Sequence, residues 1–291
     1  QERESLPLLY SDHRLIRRAL IVLIAGALVL GAVPSSAVWA ASGEIVKRGL
    51  LDCFPAGLSE KDGSAIICET SAVIRSGDDL VFAVDNHVPG RELTSVFALA
   101  GGRDGISGGV PHYLTGSAIR ASGKLEALTV TPDQAILLAA TAFDRIKPDS
   151  AKHDAYNMLL AWPAGPAESN PPVQIVAASM RDGMTSSLAV RRGLSVALAS
   201  DRFPNGPSYF KVEGLAALPD GRLLFGIRMV GDSKEAFEFT IRIVSVSYDV
   251  REGSVVLGED FTLAYNFDAA AVAALGAKDV GLSSLEYDRF N

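Results

Sequence analysis

The stretch VEGLAALPDGRLLFGIR, residues 212–228, reads as two short β-rich runs around Pro-Asp-Gly. Proline pre-sets φ for a turn, Asp bonds the amides that follow, and Gly accepts a positive φ, so the segment is a hairpin headed by Glu213. The same unit recurs as CETSAVIRSGDDLVFAVDN from Cys68 and LEALTVTPDQAILLAATAFDR from Leu125, with GLSSLEYDRFN from Gly281 as the opening of a fourth copy. Each unit places a Glu ahead of a first strand, a tight turn and a second strand.

Around these hairpins lie further β-rich runs: LVFAV at 80–84, AILLAAT at 135–141, LSVALAS at 194–200 and FTIRIVSVSYDV at 239–250. Gly, Pro, Asp and Asn separate them, and the expected fold class is all-β. One helix is expected at 267–279, FDAAAVAALGAKD, with Asp268 as its N-cap. A lone hairpin buries too little to be stable, whereas radial stacking of such units leaves few open edges, so a β-propeller, six-bladed or incomplete, is the expected architecture. A β-sandwich is the competing arrangement, and the recurring Glu argues against it. The Glu positions 69, 126, 213 and 286 are 57, 87 and 73 residues apart. A blade needs about 40 to 50 residues, so these spacings imply long insertions or a degenerate extra blade near Ser187–Ser200. The copy that opens at Gly281 implies a continuation past Asn291.

The first forty residues have the layout of a secretion signal: Arg14, Arg17 and Arg18, an apolar run from Ala19 to Val33, then Pro34 and small residues. Cleavage is expected after Ala40, with Ala37 as a second choice. The alternative is an uncleaved membrane anchor, but a bilayer span takes about 20 apolar residues and this run is shorter. The domain plan is therefore a leader over 1–40, an N-terminal segment over 41–63 and a propeller over 64–291, in a periplasmic or secreted protein. Beyond the leader the chain is acidic, with 23 basic against 31 acidic residues. Such a body suits neither nucleic acid nor, once the signal is cleaved, an anionic membrane. Cys53 and Cys68, the only cysteines, are expected to pair in an oxidising compartment, a closure worth about 3 kcal/mol.

In an antiparallel hairpin the start of the first strand and the end of the second share one end. Glu69 is thereby expected near Asp85, Asn86 and His87, Glu126 near Asp144 and Arg145, and Glu213 near Arg228. With Glu286 these would form an acidic rim interleaved with Arg. Crowded carboxylates raise one another's pKa or recruit a hard cation such as Ca²⁺. The guanidinium fork of Arg145 or Arg228 suits a small anionic ligand. The structural alternative is that each Glu accepts amide hydrogen bonds at a strand end. His87, His112 and His153 are scattered without metal-ligand spacing, no G-x-S-x-G elbow occurs, and the glycines at 101, 102, 105, 108 and 109 lack the context of a nucleotide loop.

On these residues KVEGLAALPDGRLLFGIR (211–228) resembles the signature blade of the bacterial phytase-like, or esterase-like, propellers. KLEALTVTPD (124–133) and VGLSSLEYD (280–288) resemble its neighbours. The resemblance implies a propeller, a phosphoesterase or esterase activity, and roles for Glu213 and Arg228. The Asp-rich loop of calcium-dependent phytases has no counterpart here. Two functions follow as expectations. One is a metal- or Arg-assisted hydrolase of phosphate or other anionic esters, with Glu213, Glu126 and Arg228 catalytic and Glu69, Asp85, Asn86, Asp144, Arg145 and Glu286 binding ligand. The other is a non-catalytic propeller that uses the same rim to hold a ligand or partner.

Overall fold

The computed structural model describes residues 53–291 apart from 56, 60–62, 67, 85–92, 101–109, 167–169, 268–273, 275, 277 and 289–291. The secretion signal, Asp85, Asn86 and His87, the glycine-rich segment 101–109 and most of the expected helix at 267–279, Asp268 included, lie outside the described residues.

The chain is mostly β, in several antiparallel sheets of which none closes on itself. The first sheet runs β1 (Thr70–Ser76), β2 (Asp79–Val84), β3 (Val96–Ala100) and β4 (His112–Tyr113) in sequential order. After a short helix, α1 (Ser117–Ala121), the second repeats that meander with β5 (Leu125–Val130), β6 (Ile136–Thr141), β7 (Leu159–Pro163) and β8 (Gln174–Ile175). A small hairpin follows, β9 (Ser179–Arg181) with β10 (Met184–Ser186), then helix α2 (Leu188–Ala197). The third large sheet orders β11 (Tyr209–Ala217), β12 (Arg222–Ser233), β13 (Ala236–Arg251) and β14 (Ser254–Leu257), and β15 (Thr262–Asn266) also pairs with β13.

All three repeated units are hairpins, β1–β2, β5–β6 and β11–β12, as their turns require. Gly77, at φ +62°, is the first of two loop residues between the paired Ser76 and Asp79. That is the glycine position of a type II′ turn, whose twist matches the strands.

The middle sheet explains why AILLAAT is apolar without alternation. Ile136, Leu138 and Ala140 pack into a core shared with β11–β14 and α2, while Leu137 and Ala139 face a core shared with β1–β4. A sheet covered on both faces needs apolar residues at every position. Burying each of these leucines contributes about 1.5–3 kcal/mol. A third, smaller core under the first sheet gathers Phe82, Phe97 and Cys53, and the Cys53–Cys68 disulfide pins the N-terminal segment against it.

One expectation is overturned. LSVALAS at 194–200 is not a strand, and no extra blade occupies Ser187–Ser200, because α2 runs through Ala197. Its apparent period of two is the tail of a period-four pattern: Val190, Leu194 and Leu198 are buried on one face while Val196 is exposed. The β9–β10 hairpin and α2 account for the long interval between Glu126 and Glu213. Among the described residues no helix is long and apolar enough to cross a membrane.

Candidate functional site

The first strand of each large sheet is an edge strand, and β5 touches both β1 and β11. Together with residues 284–286 these strands enclose a cavity of about 280 Å³. Its walls are runs of consecutive residues, Thr70–Ile74, Glu126–Leu128, Gly214 with its two neighbours, and Ser284–Glu286. Consecutive lining means that strand edges, with their backbone groups, form the wall.

A bulge at the same place in each hairpin aims the lining side chains. Pairing skips one residue between Thr70 and Ala72, between Leu125 and Ala127, and between Val212 and Gly214. The skipped residues are Ser71, Glu126 and Glu213, each five positions before its turn begins at Ser76, Thr131 and Leu218. A bulge re-aims one side chain out of the alternation. The counterpart of Glu126 and Glu213 in the first sheet is therefore Ser71. Glu69, expected to be the third acidic head, sits two residues earlier, is exposed and does not line the cavity.

Glu126 and Glu213 are buried, at 3% and 8% exposure, and one cation spans them. Lys211 Nζ lies 2.8 Å from Glu126 Oε1 and also pairs with Glu213 Oε1. Burial pushes the Lys211 pKa down, but attraction and hydrogen bonding from Glu126 and Glu213 outweigh that, so it stands above the usual lysine value. The ammonium stays protonated, which removes Lys211 as a nucleophile.

Further charges alternate outward from this pair. Lys124 Nζ is 3.8 Å from Glu126 and donates to Asp144 Oδ2 at 2.8 Å. Arg145 Nε lies 3.5 Å from Asp144, with its guanidinium over the Tyr156 ring at 4.3 Å. Arg228 Nη1 is 3.4 Å from Glu213, its buried Nε has no hydrogen-bond partner, and about a third of its side chain is exposed (35%). Arg191, on α2, closes the array from behind. It donates to the carbonyls of Phe143 and of Ser208, the latter at 2.8 Å. Burial lowers its pKa to about 10, against some support from Asp144.

Structure thus brings together Glu126, Asp144, Arg145, Glu213, Arg228 and, on the far wall, exposed Glu286. Glu126 and Asp144 meet through Lys124, with Arg145 beside Asp144, and Glu213 pairs with Arg228. Lys124 and Lys211 were missed, although K-x-E stands in both KLEA and KVEG. The bulge between each Lys and the residue after its Glu breaks the simple alternation, so the spacing alone does not reveal that the two side chains meet. Glu69 occupies the corresponding place in the first sheet.

Among the described residues no group of three or more His, Cys, Asp or Glu side chains is placed to hold a metal ion. Ca²⁺ takes six to eight oxygens, whereas the two buried carboxylates share one ammonium, so this donor set does not fit that ion as it stands. His112 lies on β4 and exposed; His153 lies in the turn Ala151–Tyr156, remote in sequence from the strand heads. No protein-family model, curated protein or solved structure matches this chain.

Proposed function

We propose that residues 64–291 form a propeller-like binding domain of an exported protein, holding a small phosphate or carboxylate anion on Arg228, beside the strand-head cavity. Three sequential antiparallel sheets, each turning its first strand toward one shared cavity, support the propeller reading. The Cys53–Cys68 disulfide is compatible with an oxidising compartment and supports export.

The observation that carries the binding reading is the position of Lys211 between Glu126 and Glu213. The Oε1 atoms of both Glu are engaged by that ammonium, which leaves them poorly placed to take a proton from a substrate. The two Glu are then holders of Lys211, and the cluster has four cations, Lys124, Arg145, Lys211 and Arg228, against the carboxylates of Glu126, Asp144 and Glu213. The surplus positive charge meets solvent at Arg228. That guanidinium gives Nη1 to Glu213 and keeps Nε buried, which leaves its other terminal nitrogen for an oxygen of a ligand. Exposed Glu286 opposes it weakly through water. The resemblance to phytase-like propellers agrees with the anionic ligand class, and the hydrolytic roles it implies for Glu213 and Arg228 are the alternative that the turnover assay below tests.

Calorimetric titration of the full chain with inorganic phosphate, phytate and acetate tests this reading, alongside turnover of aryl phosphate and aryl acetate with and without Ca²⁺. Saturable anion binding lost in Arg228→Ala, without turnover, is expected. Turnover abolished by Glu213→Gln would replace the binding domain with the hydrolase, and the absence of any saturable binding would remove both.

A further inference from the structure

A second cavity, of about 240 Å³, opens between the first and second sheets, away from the strand heads. Its floor is Val81 of β2, Leu114 just after β4, Leu137 of β6 and Trp162 of β7, all 2–3% exposed. Leu137 and Trp162 are direct cross-strand neighbours, so the indole and the leucine form one continuous apolar surface. Four prolines, Pro163, Pro166, Pro171 and Pro172, shape the mouth around Ala164 and Gly165.

The mouth has no free backbone donors to offer. Proline carries no N–H. The amide of Ala164 donates to the Ala135 carbonyl at 2.8 Å, and that of Gly165 to Ser76 Oγ at 3.1 Å. On the floor, Leu114 N–H donates to the Val96 carbonyl at 3.0 Å, while Val81 and Leu137 lie in strands paired on both sides. Among the described residues no charged side chain lines the cavity. An anion seated there would lose its hydration for little in return, the Trp162 indole N–H being the one side-chain donor among the described lining residues.

Size sets the class of occupant. An apolar cavity of about 150 Å³ admits benzene, and this one is larger. We propose that this cavity is a binding site for a small uncharged aromatic molecule, one ring with short alkyl substituents, seated on Trp162 and Leu137 between the proline faces. The site is independent of the strand-head cavity and of the anion assigned to Arg228.

Toluene and benzoate, alike in ring and different in charge, are the probes. The full chain is titrated with each while the methyl resonances of Val81, Leu114 and Leu137 are followed by NMR. Toluene is expected to shift these three saturably, leaving the core between the second and third sheets unmoved. Benzoate is expected to bind more than about tenfold more weakly, since no cation among the described lining residues offsets the desolvation of its carboxylate. Ala164→Leu, which fills the mouth, is expected to abolish the toluene response while the unliganded methyl spectrum stays folded; Ala164→Val serves the same purpose if the larger side chain disrupts folding. Three results overturn the site: no saturable shift up to the solubility limit of toluene, an equal affinity for benzoate, or an unchanged response in a folded position-164 variant. The toluene and benzoate comparison needs no variant and decides the question by itself.

Discussion

Two buried carboxylate clusters in this chain are built in opposite ways. Asp154, fully buried in the turn Ala151–Tyr156, faces both arms of the Arg181 guanidinium: Nε donates to Oδ2 at 3.1 Å and Nη2 to Oδ1. The remaining donors of Arg181 reach the carbonyls of Pro148 at 2.7 Å and Ser150 at 2.8 Å. The bidentate match accounts for each group, so this cluster clamps β9 to the turn and offers nothing to a ligand. At the strand heads, Lys211 is shared between Glu126 and Glu213, and Arg228 Nε is buried without a hydrogen-bond partner. That cluster borders a cavity; the saturated one does not. A buried donor without a partner calls for an explanation, and at the strand heads a neighbouring cavity offers one.

The contrast can be broken most severely at Lys211. Lys211→Met leaves two buried carboxylates without their cation and is expected to cost about 3–5 kcal/mol in urea denaturation. Adding Glu126→Gln and Glu213→Gln should recover part of that loss, and a loss below about 1 kcal/mol would show that the ammonium is not what holds the pair. Asp154→Asn comes next: it should lower Tm by roughly 5 °C and leave phosphate binding unchanged, because the clamp lies outside the cavity. A parallel loss of binding would erase the distinction between the two clusters. Arg228→Ala should move stability by less than about 0.5 kcal/mol, as a partly exposed side chain does, yet weaken anion binding by more than about tenfold.

The smallest effect is expected at His153, beside the clamp. Its pKa is lowered by burial and then by Lys152, Arg145 and Lys147, with Asp144 opposing. The unfolded chain therefore takes up the proton first. Stability from the neutral imidazole is complete above the unfolded value of 6.5 and is lost as pH falls through the lower folded value. Tm measured at about pH 7.5 and about pH 5 should fall less in His153→Gln than in the parent chain, and an equal fall would assign the acid sensitivity elsewhere.

Much of this architecture was legible along the chain. Pro-Asp-Gly and Ser-Gly-Asp-Asp predicted hairpins because turn chemistry is local, and the antiparallel rule then placed Glu126 with Asp144 and Glu213 with Arg228. LSVALAS misled because four residues of a helix tail can imitate strand alternation; the burial of Val190, Leu194 and Leu198 on one face only becomes evident once a neighbouring sheet supplies the face. Glu69 misled because it is the acidic residue that stands ahead of the first strand, whereas counting back from the turn gives Ser71. The two lysines were visible as K-x-E twice over, but nothing local says that one ammonium will reach carboxylates 85 and 2 residues away in sequence.

By itself the amino-acid sequence determined the β-rich class, the three hairpins and their turns, and the two cysteines available to pair, since each follows from the conformational preferences of a few adjacent residues. Tertiary structure alone decided which charges meet and which remain incompletely satisfied. Bulges at Glu126 and Glu213 redirect single side chains, and the stacking of separate sheets brings those side chains to a common cation; both depend on strand pairing and burial between distant segments, which no short window of sequence contains.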